Sequence, residues 1–143
     1  MSLFVDTGVF YAHHDTDAER HDAAVAAFDE LLDGTYGQPY TSEYILDEAV
    51  TLTRARTGSF EAADLIAKRI LGHEPFPQAF EFLVLDPDDV HDALETFRRY
   101  DDQNLSFTDA TILSLCASRN IDAILSFDTD FDGLYDRIEP TSG

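Results

Sequence analysis

The chain has 143 residues with 29 acids against nine Lys plus Arg, for a formal charge of −20, and a single cysteine. The length suits one domain, 1–143, with a substantial core, no apolar run approaches the roughly 18 residues of a membrane span, and the lone Cys116 permits no intrachain disulfide, as expected of a cytoplasmic protein. The N-terminus lacks the basic stretch of a signal peptide, and the negative charge argues against an ordinary nucleic-acid surface built from Lys and Arg.

In chain order, the apolar stretch SLFVD predicts a first strand over residues 3–6. A first helix is expected over 18–32, with Thr16 and Glu19 as a capping box and Val25, Phe28, Leu31 and Leu32 on its apolar face. After a loop marked by Gly34 and Gly37, an extended piece covers 38–41. Ser42 and Gly58 bracket a helix over 43–56, and Ser59 and Gly72 bracket another over 60–71. Residues 79–85 read as a strand. Asp86-Pro87 starts a further helix, with proline at its first position. A helix over 109–119 and a strand over 123–127 complete the pattern. Strands alternating with helices imply α/β architecture: a mainly parallel sheet covered on both faces, with its site beyond the C-terminal strand ends.

Four acids stand at marked places in this scheme. Asp6 ends the first strand, where a turn or cap role competes with ligation. Glu48 has Tyr44, Ile45 and Leu52 as same-face neighbours on its helix, so it points inward or into a cleft and needs a partner there. Asp109 opens a helix, where an acid also complements the helix dipole. Asp128 ends the late strand in S-F-D-T-D-F-D; Asp130 is a possible second ligand, and Asp132 reads as a solvated loop charge. Carboxylates gathered in one pocket repel, and a divalent cation is the natural reason to assemble them. Mg²⁺ or Mn²⁺ chemistry on phosphate is therefore expected. Arg54, Arg56 and Arg119 are candidate phosphate contacts.

Other motifs are absent. There is no Walker A loop, HExxH, GxSxG or CxxC pair. The five histidines lie among polar residues, and solvated or capping roles are expected for them. Lys68 is expected at the surface and Cys116 as a small buried apolar residue. The Asp-rich, Lys-poor composition is that of a halophilic surface. It should repel itself in dilute buffer, whereas at 1 M salt the screening length falls to about 3 Å.

The ordered set F-V-D-T, helical Glu48, F-T-D-A-T-I-L and S-F-D-T-D-F resembles a PIN domain, closest to the VapC-type toxin ribonucleases. The resemblance covers nearly the whole chain. It implies a three-layer α/β/α sandwich, a metal-dependent endoribonuclease, a small antitoxin partner and a homodimer. Asp6, Glu48, Asp109 and Asp128 match the family's acidic set, with Asp130 close by, and Thr7 matches a small hydroxylated position. The chain departs from the family in its acidic surface and in the doubled Asp128/Asp130. Alternative readings are a housekeeping PIN-domain RNA-processing nuclease without antitoxin, a haloacid-dehalogenase-type phosphatase, and a catalytically silent binding module. The phosphatase wants a second acid two residues after the first, and that position is Gly8.

Overall fold

Leu3, Phe4 and Val5 are completely buried, as an unbroken apolar strand must be when both of its faces are covered. They belong to β1 (Ser2–Val5), the centre of the sheet in a computed structural model that describes residues 1–142. β1 pairs in parallel with β2 (Gln38–Ser42) and with β4 (Ala123–Leu125), so that Phe4 lies opposite Tyr40 on one side and Ile124 on the other. β3 (Glu81–Leu83) extends the sheet beyond β2, and β5 (Arg137–Ile138) extends it beyond β4. The order is β3-β2-β1-β4-β5 and every pair is parallel.

Helices fill the crossovers. α1 (Thr7–His14) and α2 (His21–Leu32) join β1 to β2; α3 (Glu43–Thr57) and α4 (Phe60–Leu71) join β2 to β3; α5 (Pro87–Arg99) and α6 (Phe107–Arg119) join β3 to β4. The chain steps outward from β1 to β3, then returns past β1. Right-handed crossovers therefore put α1–α4 on one face and α5–α6 on the other. Helix packing agrees: α1 touches α2, α3 and α4, and α5 touches α6. None of the helices among the described residues is long and apolar enough to cross a membrane.

The capped helices form as expected. The Ser42 hydroxyl accepts from Ile45 N and the Ser59 hydroxyl from Ala62 N. Gly72 ends α4 in the left-handed region at φ 71°, and a Cβ there would come within 2.5 Å of the Gln78 backbone, so the position excludes any side chain. Lys68 is at the surface, 3.3 Å from Asp64, and Cys116 is buried with its thiol pushed up by that burial.

Three expectations need correction. The segment after Asp6 is a helix, α1, whereas the first helix was expected only from residue 18. The Thr16/Glu19 capping box does not form, because α2 starts at His21 behind Arg20 and lacks a side-chain cap bond. His13 is not solvated: its ring stacks on Phe28 at 4.0 Å, its Nδ1 lies 3.0 Å from Arg69 Nη1, and burial with that neighbouring cation holds its pKa down at about 4.

Asp89 ties α5 to α6. Its Oδ2 accepts from Asp86 N at 3.0 Å, closing a reciprocal cap, while its two oxygens accept from Arg119 Nη1 and Nη2 at 2.5 and 2.8 Å. The Arg119 guanidinium holds this carboxyl below its usual range. Asp89→Ala removes one arm of the cap and strands Arg119, so unfolding free energy should drop by about 2–3 kcal/mol at pH 7. A depressed carboxyl stabilises the fold above its unfolded pKa and loses that contribution as pH falls through the folded value. The deficit should therefore shrink in urea titrations repeated in acid. An unchanged urea midpoint at pH 7 would contradict this assignment.

Candidate active site

The strand order turns around at β1, with β2 on one side and β4 on the other, and crevices open beyond the C-terminal strand ends at such a switch point. Asp6 stands there. Its backbone N donates to Leu125 O at 3.1 Å, joining the ends of β1 and β4. Its side chain caps α1, with Oδ1 accepting from Thr7 N at 2.8 Å. Oδ2 accepts from the Ser126 hydroxyl at 2.7 Å, and the same hydroxyl oxygen accepts from Asp128 N at 2.9 Å. Ser126 thus fixes both strand-end acids.

A cavity of about 830 Å³ opens over these groups, and Asp6, Glu48, Asp109 and Asp128 all line it. Asp6 is 8% exposed. Burial, helped by the charges of Asp109 and Glu48, pushes its pKa from 3.8 to about 7 against the opposing pull of the Ser126 and Thr7 donors. Asp109 occupies the third position of α6 and closes a capping box with Ser106, its Oδ2 accepting from Ser106 N at 3.0 Å. It therefore fills the structural role and the cavity-facing role together. Burial raises its pKa too, with Asp128 and Glu48 adding repulsion.

The acids share a cavity but do not close on a point. Among the described residues no three carboxylate, imidazole or thiol groups stand close enough to grip one ion. Mutual repulsion favours this spread. In addition, Asp109 Oδ2 and Asp128 Oδ1 turn toward the backbone N–H groups of Ser106 and Asp130.

The remaining sequence candidates fall on both sides of the cavity wall. Thr7 lines the cavity, and its buried Oγ1 has no hydrogen-bond partner among the described residues. Arg56 lines it as well, with its guanidinium 4.8 Å from the centre of the Tyr11 ring. Asp130 does not: it lies in the short 3₁₀ turn after Asp128 and donates its backbone N to Asp128 Oδ1, while the Asp128 charge raises its own pKa. Arg54 is exposed outside the cavity. Arg119 cannot serve as a free phosphate contact, because Asp89 holds it at the α5–α6 interface.

The sequence reading missed Ser126 and Arg20. Arg20 lines the cavity with its guanidinium 4.9 Å from the centre of the Phe127 ring. The signal for Ser126 was its place two residues before Asp128 at a strand end; Arg20 had none, since its partner lies far along the chain. Asp15 and Glu19 add two more acids to the rim.

Residues 3–136 match the PIN domain family. A VapC ribonuclease of Archaeoglobus fulgidus is 28% identical over 134 residues, covering 92% of this chain and 80% of the relative. The crystal structure of Mycobacterium tuberculosis VapC20, described as a sarcin–ricin-loop-cleaving toxin, superposes with a TM-score of 0.76 at 28% identity, over 90% of this chain and 92% of that one. A toxin–antitoxin complex from Klebsiella pneumoniae shares the fold at a TM-score of 0.65 and 17% identity, over 99% of this chain and 98% of that one.

Proposed function

The chain belongs to the PIN domain family, and on that footing we propose that it is a metal-dependent endoribonuclease that hydrolyses RNA phosphodiester bonds as the toxin of a toxin–antitoxin pair. The observation that carries this reading is the one cavity at the switch point onto which Asp6, Glu48, Asp109 and Asp128 all face. Its donors are carboxylate and hydroxyl oxygens, with no imidazole or thiol in the lining. That set suits Mg²⁺ or Mn²⁺ better than zinc.

When bound, such an ion lowers the pKa of water and neutralises charge on the phosphate oxygens. Asp6, Glu48 and Asp109 would hold it, and Asp128 would join them or orient the attacking water. Ser126 keeps Asp6 and Asp128 in register, and the Thr7 hydroxyl offers a further oxygen on the same wall. Near pH 7 the buried Asp6 carboxyl is poised to exchange a proton for a cation.

A small antitoxin, a homodimer, a cytoplasmic location and a salt-rich milieu complete the reading. The antitoxin rests on the VapC relatives and on the toxin–antitoxin complex that shares this fold. An RNA-processing nuclease without antitoxin is the alternative, distinguished by whether a small protein encoded beside this one co-purifies with it. Gly8, at the position where the phosphatase wants its second acid, argues against the phosphatase, and the complete acidic set argues against a silent binding module.

Glu48→Gln and Asp109→Asn should each lower Mn²⁺-dependent RNA cleavage at molar KCl by about 100-fold, the scale of one lost electrostatic contact to a transition state. Both side chains keep an acceptor oxygen, so folding should survive, as circular dichroism would verify. Wild-type cleavage rates in both variants would end the proposal.

A further inference from the structure

Two cations line a cavity otherwise rich in acids, and neither is neutralised by them. Arg20, just before α2, lies over Phe127 at 4.9 Å; Arg56, in the last turn of α3, lies over Tyr11 at 4.8 Å. Asp15 and Glu19 line the same cavity. Even so, neither arginine makes a side-chain hydrogen bond or an ion pair among the described residues. Of the other cations, Arg119, Arg137 and Lys68 pair with acids, while Arg54, Arg69, Arg98 and Arg99 make no ion pair among the described residues. What sets Arg20 and Arg56 apart from the other unpaired arginines is that they line the cavity shared by Asp6, Glu48, Asp109 and Asp128. An aromatic face holds the guanidinium plane by cation–π attraction and leaves its N–H edge free for a planar, bidentate acceptor.

We propose that Arg20 and Arg56 are phosphate clamps that seat a single-stranded RNA segment across the carboxylate cluster, one from the β4 wall and one from the α1 wall; this rests on the ribonuclease reading above. The seats come from different parts of the molecule. Phe127 follows β4 and adjoins Asp128, whereas Tyr11 belongs to α1, which Asp6 caps. Consecutive phosphates held by the two arginines would bring the backbone over Asp6 and Asp128. Because the guanidinium groups already cover the ring faces, phosphate rather than base stacking is the contact made. A strand reaching these two donors gains the only cavity cations, while a duplex would bring its second row of phosphates against the acidic rim of Asp15 and Glu19.

The test uses a fluorescein-labelled mixed-sequence RNA of about 12 nucleotides. Anisotropy titrations run between about 0.5 and 2 M KCl, where the acidic surface is screened. Asp109→Asn serves as the common background, to prevent cleavage. Adding Arg20→Ala or Arg56→Ala should weaken binding about 10-fold each, the scale of one charge-assisted hydrogen bond. The pair should reduce the slope of log K against log [KCl] by about 1.4, or 0.7 for each phosphate contact to a single strand. Arg20→Lys/Arg56→Lys, which keeps the charge, should restore that slope, and exposed Arg54→Ala should leave both readouts unchanged. The corresponding RNA duplex should bind at least about 10-fold more weakly than the single strand. An unchanged slope in the double alanine variant, or equal binding of duplex, overturns the clamp. If the wild type still cuts RNA, only the clamp falls; if the wild type neither binds nor cuts RNA, the ribonuclease reading falls with it.

Discussion

Asp6→Asn should lower RNA cleavage by at least about 100-fold and at the same time stabilise the metal-free protein at neutral pH. The two effects have one cause. In the folded chain the Asp6 carboxyl titrates at about 7 rather than 3.8, chiefly because it is buried. Between those values the folded state binds more protons than the unfolded state, so stability declines as pH rises through that window. A shift of roughly three units corresponds to about 4 kcal/mol once fully developed above pH 7. Asparagine removes the charge and can still accept from Thr7 N. It cannot accept from the Ser126 hydroxyl in the same way, a loss of about 1 kcal/mol. A net gain of about 2–3 kcal/mol near pH 8 is therefore expected, vanishing toward pH 4. Urea titrations in EDTA across this range would measure it. Asp109 is raised as well and contributes a slope in both proteins, so the comparison is the difference between wild type and variant. Saturating Mn²⁺ should restore wild-type stability at pH 8 and leave the variant nearly unmoved. Parallel pH profiles in EDTA would remove Asp6 from this role.

The second large effect is that of salt. Only four of the 29 acids form ion pairs among the described residues, with Lys68, Arg119 and Arg137 as the cations. The rest repel one another across the surface. Raising KCl from about 0.1 to 2 M shortens the screening length to a few ångströms. Relief of the repulsion should raise unfolding free energy by about 3 kcal/mol and Tm by roughly 10 °C. KCl is close to neutral in its other effects on proteins, so the rise reports screening. Cleavage per mole of protein should hold or grow over the same range, although binding of RNA to the folded fraction weakens. A Tm that is flat or falls with KCl would show that the surface is not under strain at low salt.

What the sequence revealed was mostly local. Ser42, Ser59 and Asp86-Pro87 start helices, and Gly58 and Gly72 end them, through bonds reaching only a few residues, so α3, α4 and α5 were legible. α1 was not. Asp6-Thr7-Gly8 reads equally as a turn or a helix cap; the cap forms, and the helix behind it draws its stability from tertiary burial of Val9, Phe10 and Tyr11, with Phe10 meeting Phe28 and Phe80 edge-on. β5 has two residues and exists through its pairing with β4, which no local pattern announces. The meeting of the four acids could be anticipated because strand ends and an apolar helix stripe give direction. Their separation could not, since it depends on which oxygens the backbone claims. The D-T-D repeat offered Asp130 as a possible second ligand beside Asp128, and the 3₁₀ turn that contains Asp130 leaves it out of the cavity lining. Arg20 was hidden because Phe127 lies more than a hundred positions away; Ser126 had its place before Asp128 as a signal, but not its bond to Asp6.

Ser126 passes a proton-bearing bond in one direction, from the Asp128 amide through its own hydroxyl to Asp6. That polarity holds only while Asp6 is a pure acceptor. A protonated Asp6 donates instead and releases the Ser126 O–H toward another acceptor, while the Asp128 amide still donates to the same oxygen. The direction in which the Ser126 proton points is thus set by the ionisation of a side chain more than a hundred residues earlier, whereas the backbone bonds of Asp6 to Leu125 and of Ser126 to Ile138 hold the sheet edge in either state.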